Sequence, residues 1–174
     1  QKTLLSTQIF NFLEDTEFSE LEAAANLHLF GADQLVIQEG DFGRSTYIIL
    51  EGLVKVFCKD YEGKDVQLAT LGADQFFGEM PLLTGKPRSS SVVTVEESLL
   101  SEISYNKMRS LMMQYPQAKD IMQSYLKKRQ EDSRKKLAEA GVQDRRRHPR
   151  LNERLLMRFT VWPNNTLPEE MTSH

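Results

Sequence analysis

Cys58 is the only cysteine in 174 residues. No intrachain disulfide can form, and a reducing, cytoplasmic setting is expected. Residues alternate in character around Cys58, which marks a strand position rather than a reactive thiol. Histidine is nearly as scarce, with His28, His148 and His174 scattered along the chain. A metal-dependent enzyme needs clustered histidines and a carboxylate, so neither metal nor catalysis is expected. No apolar run approaches membrane-spanning length, and no signal peptide is visible. Basic charge is in short supply at the front. Residues 1–126 carry 10 basic and 18 acidic side chains, which argues against a broad nucleic-acid surface there. The chain opens on Gln1 in place of methionine, as expected of a trimmed fragment.

The composition that remains is ordinary for a globular protein, 40% hydrophobic and 27% charged, in a length that suits one domain plus extras. The net charge of −3 conceals a basic segment, residues 127–150, with 10 basic and 4 acidic side chains. Near the start, Ile9-Phe10 and Phe12-Leu13 form an apolar plug. Thr16 is read as a helix cap, with Phe18, Leu21 and Ala25 following at helical spacing. From Leu27 the period shortens. Strands are expected at 35–37, 47–50, 53–57, 66–71, 92–95 and 99–103, with turns at Gly40-Asp41, Glu51-Gly52 and Glu62-Gly63. Many short strands at regular spacing indicate a sandwich or barrel.

The stretch Phe76-Phe77-Gly78-Glu79-Met80-Pro81-Leu82-Leu83-Thr84-Gly85-Lys86-Pro87-Arg88-Ser89-Ser90-Ser91-Val92 carries the chemistry. Gly78 lets the backbone approach a ligand closely, and the turn after it presents N–H groups to an anion. Arg88 brings a planar fork of donors suited to phosphate oxygens. Glu79 repels phosphate, so its partner is a neutral hydroxyl such as a ribose oxygen. Ser89, Ser90 and Ser91 leave room beside the arginine. Together they describe a site for a nucleotide with a single phosphate charge. A lone Gly-Glu or Pro-Arg pair is most often only a surface turn. Here the two halves occur together.

Phe77-Gly78-Glu79-x-x-Leu82 followed by Pro87-Arg88-Ser89-Ser90-Ser91-Val92 resembles the phosphate-binding cassette of cyclic nucleotide-binding domains. Ile37-x-x-Gly40-Asp41 with Tyr47-x-Ile49-x-x-Gly52 is similar to the first half of the same β-roll. The resemblance implies a mainly β fold with flanking helices, a jelly-roll-like β-roll over 1–115, then a long helix over 116–140. It further implies that Glu79 binds the ribose 2′-hydroxyl. Arg88 and the Ser89 amide hold the cyclic phosphate of cAMP or cGMP, and the amides of Gly78 and Glu79 cap it. Phe77, Met80 and Ser90 complete the cassette. Two departures stand out, Pro81 where alanine is usual and Arg44 where an acidic residue is common.

Ser104 is expected to cap a helix to about Gln114, and Pro116 to start a longer one ending near Gly141. An apolar stripe follows Pro116 at Ala118, Ile121, Met122, Tyr125 and Leu126. In the family such a helix is a lid on the ligand or pairs with its twin in a homodimer, and Met122, Tyr125 and Leu126 are then candidates for base contact. Periodicity alone equally allows the stripe simply to cover the roll. The charged half, with Glu131–Lys135 and Asp132–Lys136, reads as a mostly solvated face.

After this helix, residues 141–174 read as a basic linker and a strand-like segment. Arg146-x-x-x-Arg150 with Pro149 resembles the opening of PilZ domains, whose two arginines clamp cyclic di-GMP. The remaining strands and second motif of that family are missing, so this chain alone is not expected to form that barrel or bind that ligand well.

Four functions compete on these residues. The first is a cyclic mononucleotide sensor signalling through its carboxy-terminal helix. The second is a DNA-binding regulator, for which no recognition helix is visible, so no specific DNA contact is expected. The others are a metal-dependent enzyme and a roll that serves only in assembly.

Overall fold

The computed structural model describes Phe10 and residues 13–142, all within one compact unit that ends at Gln143. Twelve elements follow one another: α1 (Asp15–Ala23), β1 (Asn26–Phe30), β2 (Leu35–Ile37), β3 (Ser45–Glu51), β4 (Val54–Lys59), β5 (Asp65–Leu71), β6 (Phe76–Phe77), α2 (Met80–Thr84), β7 (Ser91–Thr94), β8 (Ser98–Ser104), α3 (Tyr105–Gln114) and α4 (Pro116–Glu139). The strands make two four-stranded antiparallel sheets, ordered β1-β8-β3-β6 and β2-β7-β4-β5. This mainly β architecture with flanking helices and a long carboxy-terminal helix is the one expected.

Alternation along the strands builds two cores. On β3, Ile48 and Leu50 enter one and Ile49 the other. The short β6 does the same, with Phe76 on one side and Phe77 on the other. Between the sheets, Ile49, Phe77 and Leu100 meet Ile37, Val54, Leu71 and Val92. On the opposite face of the first sheet, Ile48, Phe76 and Ile103 pack against Phe10, Leu21 of α1, Met108 and Leu111 of α3, and Met122 of α4. Each such buried side chain contributes about 1.5–3 kcal/mol relative to exposure.

Local signals explain most of the boundaries. The β4–β5 hairpin closes through Asp60, whose Oδ1 accepts from the Glu62 and Lys64 amides. Ser104 caps α3 by accepting from the Lys107 amide at 3.3 Å, and Pro116 opens α4. The expected cap at Thr16 is not the one used. The helix begins at Asp15 with Glu14 as its N-cap, and the Glu14 amide donates to the Glu17 carboxylate at 3.0 Å.

The apolar stripe of α4 covers the roll: Ala118 and Met122 are fully buried, and Tyr125 meets Phe76 edge-on at 5.4 Å. Most of its charged half is exposed as expected, Glu131, Asp132, Lys135 and Lys136 included, while Arg129, Gln130 and Leu137 turn inward.

Candidate functional site

Arg88 is held at both its main chain and its side chain. Its amide donates to the Asp41 carbonyl and its carbonyl accepts from the Gly40 amide, both at 2.9 Å, fixing it to the loop before β3. The side chain is only 6% exposed. Nη1 donates to the Gly78 carbonyl at 2.5 Å and to the Tyr105 hydroxyl at 3.0 Å, while Nη2 donates to the Ser45 carbonyl at 2.7 Å. Every one of these acceptors is neutral. Among the described residues Arg88 forms no ion pair. A buried cation satisfied in hydrogen bonds but not in charge favours an anion beside it.

Two glycines make the slot. Gly78 adopts φ +84°, and a Cβ there would overlap Arg88 Nη1 and press on the Ser45 carbonyl and Ile37. A Cβ at Gly43 would overlap the same guanidinium. Tyr105, the first residue of α3, donates its hydroxyl to the Gly78 carbonyl at 2.6 Å. Burial pushes that hydroxyl up to about 12, with the Arg88 charge pulling down and the Glu79 carboxylate pushing up.

Glu79 follows the Gly78 peptide and precedes α2. Its side chain is 3% exposed, and its carboxylate accepts from Arg129 Nη1 of α4 at 3.0 Å. The Arg129 guanidinium also lies over the Phe76 ring, 4.7 Å from its centre. One residue on, Gln130 Nε2 donates to Met80 Sδ at 3.7 Å. Thus α4 is seated on the cassette through the residue expected to grip a sugar.

Gly78, Glu79 and Arg88 therefore meet at one turn, although the two charged side chains leave it differently. A cavity of about 240 Å³ is lined by Arg88 together with Gln38, Asp41, Arg44, Tyr47 and Glu102, and Glu79 is not among its lining residues. In its wall, burial and the adjacent Glu102 carboxylate push the Tyr47 hydroxyl up to about 12. Burial opposes ionisation of Glu102, but hydrogen bonds from Ser45, His28 and Tyr47 prevail and lower it.

Of the other expected site residues, Phe77 lies in the core between the sheets, stacked on Tyr47 at 5.3 Å. Met80, Ser89 and Ser90 are half-buried. Ser91 is buried, its Oγ accepting from the Glu39 amide. Of the base-contact candidates, Met122 is a core residue, Tyr125 packs on Phe76, and Leu126 is half-buried. Arg146 and Arg150 lie outside the described residues.

Sequence reading missed Tyr105, Arg129 and the Ser45 carbonyl. Arg129 had a signal, since it extends the stripe of Ala118, Met122 and Tyr125 by four residues. Tyr105 had none beyond its place after a helix cap. Among the described residues no three His, Cys, Asp or Glu side chains gather to hold a metal ion, and no helix is long and apolar enough to cross a membrane.

A family described as "Cyclic nucleotide-binding domain" matches residues 27–115. The chain is 33% identical over 120 residues to the cAMP-activated global transcriptional regulator CRP of Haemophilus influenzae, covering 68% of this chain and 54% of that protein. It is 31% identical over 127 residues to the cyclic nucleotide-gated channel alpha-4 of Mus musculus, covering 70% of this chain and 22% of the channel. It thus spans about half of the regulator and about a fifth of the channel. Among solved structures, the Thermus thermophilus catabolite activator protein superposes with a TM-score of 0.66 at 26% identity, over 76% of this chain and 62% of that one. The regulatory domain of Toxoplasma gondii PKA, crystallised with cAMP, gives 0.57 at 26% identity, over 62% and 41%.

Proposed function

The chain belongs to the cyclic nucleotide-binding domain family, and from that premise we propose that it senses a cyclic mononucleotide, cAMP before cGMP, and passes occupancy on through α4. The observation that carries the reading is Arg88, a buried guanidinium with neutral partners only, beside a glycine turn. A cyclic phosphate supplies the missing single negative charge. Its equatorial oxygens take donors from Arg88 and the Ser89 amide, each charge-assisted contact contributing roughly 1.5–3 kcal/mol. Glu79 accepts from the ribose 2′-hydroxyl. That cAMP comes first is supported by the relatives, two of which are named for it.

Signalling follows from where Glu79 already points. Its carboxylate is one of the contacts that seat α4 on the cassette, so a ligand hydroxyl arriving there changes that contact. A ligand that binds better to one seating of α4 shifts the population toward it by its differential affinity alone. Beyond α4, Arg146-x-x-x-Arg150 is the proposed start of a PilZ-type output segment.

Calorimetric titration of the 174-residue chain with cAMP, cGMP and cyclic di-GMP side by side tests this. Saturable 1:1 binding of a mononucleotide is expected, cAMP the tighter and cyclic di-GMP weak. Failure of both mononucleotides to bind would overturn the reading.

A further inference from the structure

We infer that Tyr105 is a positioning residue for the anion site, aiming the Arg88 guanidinium through its hydroxyl and tying it to the start of α3. The inference rests on reading Arg88 as the phosphate-binding group. A hydroxyl has one proton, and this one goes to the Gly78 carbonyl at 2.6 Å. The oxygen is therefore left to accept from Arg88 Nη1 at 3.0 Å, which fixes the direction of both bonds. Burial keeps the proton in place, since the hydroxyl is pushed up to about 12.

The other two acceptors of Arg88, the Gly78 and Ser45 carbonyls, are main chain. Tyr105 is thus the side chain that completes the fork and sets its plane. Without it, the fork keeps only the Gly78 and Ser45 carbonyls, and the Asp41 and Glu102 carboxylates that line the same cavity can draw it from its present aim. Either would neutralise it and compete with a phosphate. Tyr105 also reaches the rest of the fold. Its amide donates to the Arg44 carbonyl at 2.8 Å, its ring lies under Arg88 at 5.7 Å, and α3 packs against α4.

The test is a thermodynamic cycle read by calorimetry with cAMP. Tyr105→Phe keeps the ring and removes the oxygen. It is expected to weaken cAMP by about three- to tenfold, the range of one hydrogen bond. In an Arg88→Lys background, where no fork remains to be aimed, the same change is expected to alter affinity by less than about twofold. A merely structural tyrosine would give equal losses in both backgrounds, and that result would overturn the inference. Unchanged affinity in Tyr105→Phe, with the unsubstituted chain binding cAMP, would overturn it alone. No binding by the unsubstituted chain would overturn the sensor reading as well.

Discussion

At the scale of single residues the site is a charge enclosed by neutral oxygens. Gly78 is where the enclosure is tightest, because its φ of +84° and its contact with Arg88 both exclude a side chain. Gly78→Ala is expected to cost at least about 1 kcal/mol in backbone strain alone. Urea unfolding with an unchanged midpoint would show the slot to be looser than described. A second expectation concerns alkali. Tyr47 and Tyr105 are raised from 10.0 to about 12, so the folded state holds their protons longer than the unfolded chain. Stability from this source is complete below about pH 10 and is lost as pH rises through about 12. An ultraviolet titration should show Tyr47 and Tyr105 ionising late. Ionisation of these two near pH 10 would contradict their burial. Gly78, Glu79 and Arg88 were legible in the sequence because they lie close together along the chain. Tyr105 and Ser45 were not, since they reach Arg88 from 17 and 43 residues away.

At the scale of elements, α4 is the piece whose seating matters. Its first half docks by apolar burial, and its second half by the Arg129–Glu79 pair. Arg129→Ala leaves a 3%-exposed carboxylate without its cation and is expected to destabilise the fold by about 1.5–3 kcal/mol. Adding Glu79→Gln should recover part of the loss in urea melts, and strict additivity would deny the coupling. Strands with an apolar run, such as Tyr47–Leu50 in β3 and Leu99-Leu100 in β8, were readable from the order of their residues alone. Two were less so. In β1, Leu27 and Leu29 are 64% and 69% exposed, so its apolar residues do not report a buried face. In β6 two residues are too few to display a period, and pairing with Tyr47 and Ile48 makes the strand. The charged half of α4 is mostly solvated as read, and Arg129 is its exception because a long stem and an aromatic face can bury a guanidinium.

At the scale of the whole molecule, two cores lie on either face of the first sheet, and its short strand β6 sends one phenylalanine into each. Phe76 and Phe77 anchor the cassette to both, which places the Gly78 turn at the junction between the sheets and the helices. On the proposed reading that junction couples the ligand to the helices, since Glu79 contacts α4 and Arg88 contacts α3. A sandwich or barrel was legible from strand count and spacing, and the β-roll with flanking helices from the resemblance of the cassette. The packing of α4 on the roll was not, because helical periodicity does not name the surface a stripe meets.

The central claim is that Arg88 carries a buried positive charge awaiting a phosphate. Its most direct test is calorimetry of Arg88→Ala against the unsubstituted chain with cAMP, alongside a thermal melt. Loss of affinity by at least about tenfold in a folded variant is predicted. Equal affinity in a folded variant would contradict the account.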